Sequence, residues 1–145
     1  MSYASGEAAV LSILRLQVGY NDRNTSRGNW KILDSGAAAN YAVLRMGAAT
    51  NEAHTTTSAM TTWATEIMVY RRYIDDGPSA ISLQGDVQTL VEHIEKYPTL
   101  QGAVTDAQVT TIGAMENIQM IANGPMWLRT IVSLQWQEER DIIYV

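Results

Sequence analysis

Apolar and polar positions alternate with a period of two along residues 126–138. Met126, Leu128, Thr130, Val132, Leu134 and Trp136 fall on one side, and Trp127, Arg129, Ile131, Ser133, Gln135 and Gln137 on the other. Side chains alternate across a strand, so this spacing predicts a long strand with one apolar and one mixed face. Residues 82–97 carry a different period. Leu83, Val87, Leu90, Val91 and Ile94 recur at helical spacing and make a single apolar stripe. A strand of that length needs a sheet beside it and an element packed against it, and this helix supplies the cover.

The remaining pattern fills in the order. Val10, Leu14 and Val18, widened by Leu11 and Ile13, predict a first helix capped by Ser2 or Ser5 and stopped at Gly19. Residues 20–28 are polar and read as a loop. Strands are expected at 30–33, 41–46, 63–74 and 109–118 ahead of the final one. Turn residues close them at Asp34-Ser35-Gly36, Asp75-Asp76-Gly77-Pro78 and Ala122-Asn123-Gly124-Pro125. Residues 47–62 hold six threonines and four alanines with almost no large apolar side chain besides Met60. Such a stretch buries too little surface to offset its ordering entropy, so it reads as a long exposed loop at a hairpin tip. The elements predict one α+β domain over residues 1–145. It has an antiparallel or mixed sheet of about four to five strands, a long helix packed on one face and an N-terminal helix.

Composition narrows the functions open to this domain. The chain is 46% hydrophobic and 17% charged, as a folded protein is. A formal charge of −5 argues against a partner bound by neutralising phosphates. Cysteine is absent, which removes thiol catalysis, disulfides and zinc–cysteine sites. The first residues lack the basic start and apolar run of a signal peptide, and no stretch approaches ~20 apolar residues, so a soluble protein is expected.

Candidate chemistry is sparse. His54 and His93 are far apart in sequence with no supporting cysteine, and the bland reading of two surface histidines is preferred to a metal site. Asp75 and Asp76 are explained by the turn. Arg71 and Arg72 fall on opposite faces of a strand, so they are expected to pair with carboxylates within the fold or across an interface. Phosphate-loop, dinucleotide and nucleophile-elbow motifs are absent. An enzyme would have to assemble distant residues such as His93, Glu66 and Asp106. A ligand-binding domain would place its pocket between the Leu83–Ile94 stripe and the sheet. The long strands, acidic balance and apolar end at residues 142–145 suit instead a protein that meets copies of itself.

The arrangement resembles the tail terminator (tail completion) proteins of long-tailed bacteriophages. The matching features are the helix around residues 7–16, the strand Thr62-Trp-Ala-Thr-Glu-Ile-Met-Val-Tyr70 and the turn Asp76-Gly77-Pro78. After them come the helix to Tyr97 and two closing strands ending Ser133-Leu-Gln-Trp-Gln137. The resemblance implies a virion protein that forms a hexameric ring on the last tube ring, stops tail growth and joins the head-side connector. It implies no catalysis, no cofactor and no membrane partner. Other neck or minor virion proteins share the same physics. DNA would pass through an acidic lumen without specific binding. The expected interface takes in Ala49, Thr50, Asn51, Glu52, His54, Thr55 and Thr56 of the loop and Arg71 and Arg72. It continues through Glu138, Glu139, Arg140, Ile142 and Tyr144 near the end of the chain. Deleting residues 49–59 is expected to leave a folded protein that does not assemble.

Overall fold

The strand with the strongest alternation lies inside the sheet, with neighbours on both sides. In the computed structural model, which describes residues 3–27, 39–53, 58–74, 76–100, 102, 104, 106–119 and 122–141, the elements follow in order. They are α1 (Tyr3–Arg15), β1 (Thr25–Arg27), β2 (Asn40–Ala53), β3 (Ser58–Arg72), α2 (Asp76–Lys96), β4 (Asp106–Ile112), β5 (Glu116–Gln119) and β6 (Met126–Asp141). The sheet runs β1-β2-β3-β6-β4, with β5 also paired to β6. All pairings are antiparallel except β1 with β2, so the fold is α+β with a mixed, six-stranded sheet.

Both helices pack on one face of this sheet. Val10, Leu11, Ile13 and Leu14 of α1 and Leu83, Val87, Leu90 and Ile94 of α2 share a core with Ala42, Leu44, Ile67, Val69, Leu128, Val132, Leu134 and Trp136. The expected apolar face of β6 is therefore the covered one, apart from Met126, which stays exposed at its start. The mixed face buries more than its sequence suggests. Trp127 joins Tyr41, Val43, Met68 and Tyr70 in a second buried cluster on the opposite side of the sheet, with Tyr41 and Trp127 meeting edge to face at 5.6 Å.

At the α1 seam, Tyr3 stacks on Trp136 with ring centroids 5.3 Å apart and tilts against Trp63 at 5.0 Å. Gly6 lets the helix come this close, because a Cβ there would stand 2.7 Å from the Trp136 ring. Gly6→Ala is accordingly expected to destabilise by about 1–3 kcal/mol, overpacking outweighing the helix propensity gained. Urea unfolding checks it, and a variant as stable as the wild type would contradict this packing.

Several expected boundaries move. The 47–62 loop is largely strand: β2 continues to Ala53 and β3 begins at Ser58, leaving residues 54–57 between them. Backbone ladders stabilise this stretch where a core does not, and threonine favours strands. The polar stretch at 20–28 contains β1, anchored where Ala42 N–H donates to the Asn24 carbonyl. The strand expected at 30–33 lies outside the described residues. Asp76-Gly77-Pro78 is the first turn of α2 rather than a separate turn; proline suits that turn because its missing N–H needs no partner. Residues 109–118 divide into β4 and β5 around Gly113, whose N–H donates to the Ile131 carbonyl at 2.8 Å. The first helix stops at Arg15, and Val18 is 96% exposed rather than part of its stripe.

Candidate functional site

The feature left without an internal role is an arm formed by the distal halves of β2, β3 and β6. Beyond the level of Trp63 and Trp136, β2 pairs Thr50 with Thr62, Asn51 with Thr61 and Ala53 with Ala59, while β3 pairs Ala59 with Arg140 and Ser58 with Asp141. From Arg45 to Ala53 the β2 residues are exposed, with Gly47 half-buried. β1 covers the outer edge of β2 only at Ala42, Val43 and Leu44. Past Leu44 no described strand pairs with that edge.

The direction of the peptide groups along this edge follows from two bonds. Tyr73 N–H donates to the Met126 carbonyl, and Arg72 N–H to the Ala39 carbonyl. Odd positions of β3 thus turn their peptide groups toward β6 and even positions toward β2. Asn51 stands opposite Thr61, an odd position, so the Asn51 N–H and C=O point away from β3. Ala49 and Ala53, opposite Trp63 and Ala59, do the same. Three peptide units therefore present donors and acceptors outward, in a stretch with neither lysine nor proline to guard it. A bulge between Met46 and Ala49 bends the strand at the arm's base.

The expected interface residues separate into two groups. Ala49, Thr50, Asn51 and Glu52 lie on the exposed edge, and Glu139 is exposed near the end of β6. Arg140 and Asp141 continue the ladder. Arg72 is half-buried, whereas Arg71 and Glu138 are engaged inside the subunit. Arg71 Nη2 pairs with Asp86 Oδ2 at 2.8 Å, the intramolecular carboxylate pairing expected of it. The same Asp86 oxygen accepts from the Tyr20 hydroxyl at 2.9 Å, and Gln17 Nε2 donates to the Asp86 carbonyl at 3.0 Å. This cluster ties α2 to the sheet and to the end of α1. Glu138 is 3% exposed and accepts from Trp63 Nε1 at 3.1 Å. His54, Thr55, Thr56, Ile142 and Tyr144 lie outside the described residues.

His93, Glu66 and Asp106 do not converge. Glu66 pairs with Arg45 at 2.8 Å on the face opposite the helices, while His93 sits on α2 and Asp106 is exposed at the start of β4. Among the described residues no three histidine, aspartate or glutamate side chains are placed to hold a metal ion. A second surface feature is an open groove of about 510 Å³ between α2 and the β4–β5 break. It lies between helix and sheet, where a ligand-binding domain would carry a pocket.

Buried tyrosines give the subunit a distinct pH response. Burial, reinforced by the neighbouring Asp86 carboxylate, pushes the Tyr20 hydroxyl well above its ordinary range. Burial does the same at Tyr3, whose hydroxyl donates to Glu7 Oε2 at 2.8 Å and meets Thr65 Oγ1 at 3.0 Å. A raised folded-state value means the fold favours the neutral phenol. That stability is present in full below the unfolded value of about 10 and is lost as pH rises beyond it. The melting temperature is expected to fall above pH ~10, and to fall less steeply in the Tyr3→Phe/Tyr20→Phe variant. Equal slopes for the two proteins would contradict this assignment.

No family model matches the sequence, and no curated protein matches it. The fold itself recurs among solved structures, 37 chains of which match. One, whose name states no activity, aligns over 100% of this chain and 99% of its own length, at a TM-score of 0.51 and 14% identity. That likeness is one of fold. No helix among the described residues is long and apolar enough to cross a membrane.

Proposed function

We propose that this chain is a structural subunit that assembles with copies of itself into a closed ring, in the manner of the phage tail terminators its sequence resembles. The observation that carries the reading is the arm. Its β2 edge turns the peptide groups of Ala49 and Ala53 outward, and past Leu44 no described strand pairs with that edge. An exposed edge of this kind is a template for another chain. A head-to-tail contact, in which the arm meets a different surface on the next copy, closes into a ring.

The resemblance supplies the setting. The ring would cap the tail tube, meet the head-side connector on its other side and pass DNA through a lumen. A net charge of −5 suits a lumen that does not hold phosphates. Ala49, Thr50, Asn51, Glu52 and Glu139 are the contact residues on this reading, and Arg71 and Glu138 serve the subunit interior. Negative-stain electron microscopy of the protein, alone and mixed with assembled tail tubes, tests the proposal. Annular particles seated on tube ends are expected. Bare tube ends beside dispersed monomers would overturn it.

A further inference from the structure

We propose that a cavity between the end of α1 and the flank of α2 binds a small organic cation, an amidinium or primary ammonium carried on a compact apolar body. The site is separate from the arm, and binding there does not depend on self-assembly. The cavity has a volume of about 450 Å³ and is lined by Gln17 and Val18 after α1 and by Gly85, Asp86 and His93 on α2. That size is usual for a small-molecule site. The fold leaves the space beside Gly85 empty, since a Cβ there would meet no heavy atom within 4 Å.

Polar atoms without partners on the cavity wall set the chemistry of the occupant. Gln17 is 6% exposed, and its Nε2 donates to the Asp86 carbonyl at 3.0 Å, which fixes the amide. The Oε1 of the same amide is buried with no hydrogen-bond partner among the described residues, and so is His93 Nδ1. A buried polar atom left unpaired is costly and uncommon in a native fold. An amide oxygen can only accept, and an imidazole protonated at Nε2 presents Nδ1 as a second acceptor. The occupant therefore donates. No lysine or arginine lines the cavity, and the chain's net charge of −5 draws a cation toward it rather than an anion. Leu16 and Val18, both exposed, give the walls apolar surface that the body of the ligand removes from water.

Titration calorimetry of the full chain with benzamidine tests the proposal, with benzoate, the same ring carrying an anion, as the control. Benzamidine is expected to bind saturably, and benzoate at least about tenfold more weakly. Gly85→Leu puts a side chain into the empty space from α2. Leucine is the better helix former, so the variant should melt no lower than the wild type while benzamidine binding is lost. Gln17→Met keeps the length of the side chain but removes the acceptor, and should weaken benzamidine by about tenfold. Absence of saturable benzamidine binding to the wild type overturns the proposal, as does equal affinity for the two ligands. So does a folded Gly85→Leu or Gln17→Met protein that binds benzamidine as the wild type does. These readouts are the same for a single chain and for a ring, so their failure leaves the assembly reading standing.

Discussion

Trp136→Ala is expected to cost about 3–5 kcal/mol. The indole is fully buried in the middle of the sheet, between Trp63 on β3 and Ala107 on β4. Tyr3 stacks over it and Gly6 of α1 rests against its ring. Truncation would leave a cavity that two strands and a helix cannot close together, because the ladders hold the strands at fixed spacing. Trp136→Phe should lose far less. Among the described residues the Trp136 Nε1 has no hydrogen-bond partner, so a phenyl ring keeps much of the apolar contact and gives up no such bond. Guanidinium unfolding of the two variants provides the comparison. Equal losses would mean that the ring volume is not what the seam depends on.

Ala53→Pro is expected to abolish assembly while leaving the subunit folded. The substitution removes an N–H that points out of the sheet, so the β2–β3 ladder keeps its bonds. A neighbouring chain, by contrast, would meet a bulky ring and a missing donor on the exposed edge. The melting temperature should move by a few degrees at most, whereas the ring-sized species should disappear. Thr50→Pro is the informative contrast. Thr50 stands opposite Thr62, an even position of β3, so its N–H faces β3 and the substitution should damage the fold itself. If Ala53→Pro assembles like the wild type, the edge is not an interface.

The large features of this fold were legible because they rest on periodicity. The alternation of β6 and the stripe of α2 identified the covered face and the helix that covers it, and most residues of the stripe are buried in the core. What the pattern missed was structure sustained by backbone pairing. Residues 48–53 are exposed, and Ser58, Ala59 and Thr61 are buried without large apolar side chains, so apolar content alone gave no reason to read these stretches as strands. Consequently residues 49–59 cannot be deleted as if they were a loop, since the cut would remove paired positions from both β2 and β3. The second cluster escaped for a related reason. Trp127 shares its face of β6 with Arg129 and polar residues, and only the approach of Tyr41 and Met68 from other strands makes it a core position.

The candidate site shows the same division. Exposure of Ala49 to Glu52 followed from composition, but the outward direction of the Asn51 peptide depends on strand register. Arg71 was expected to find a carboxylate, and its partner Asp86 came from a helix that no local spacing could place beside it. Glu138 lies in a charged run that resembles a solvated tail. Its burial against Trp63 is set by the alternation of β6 carried past the residues where the run begins.

Light scattering of the purified protein over a concentration series tests whether the arm assembles copies of this chain. The wild type is expected to gain mass toward a single ring-sized species as concentration rises, with Ala53→Pro remaining at the mass of one chain throughout. A wild-type protein that holds the mass of one chain across the whole series, with or without tail tube, would contradict it.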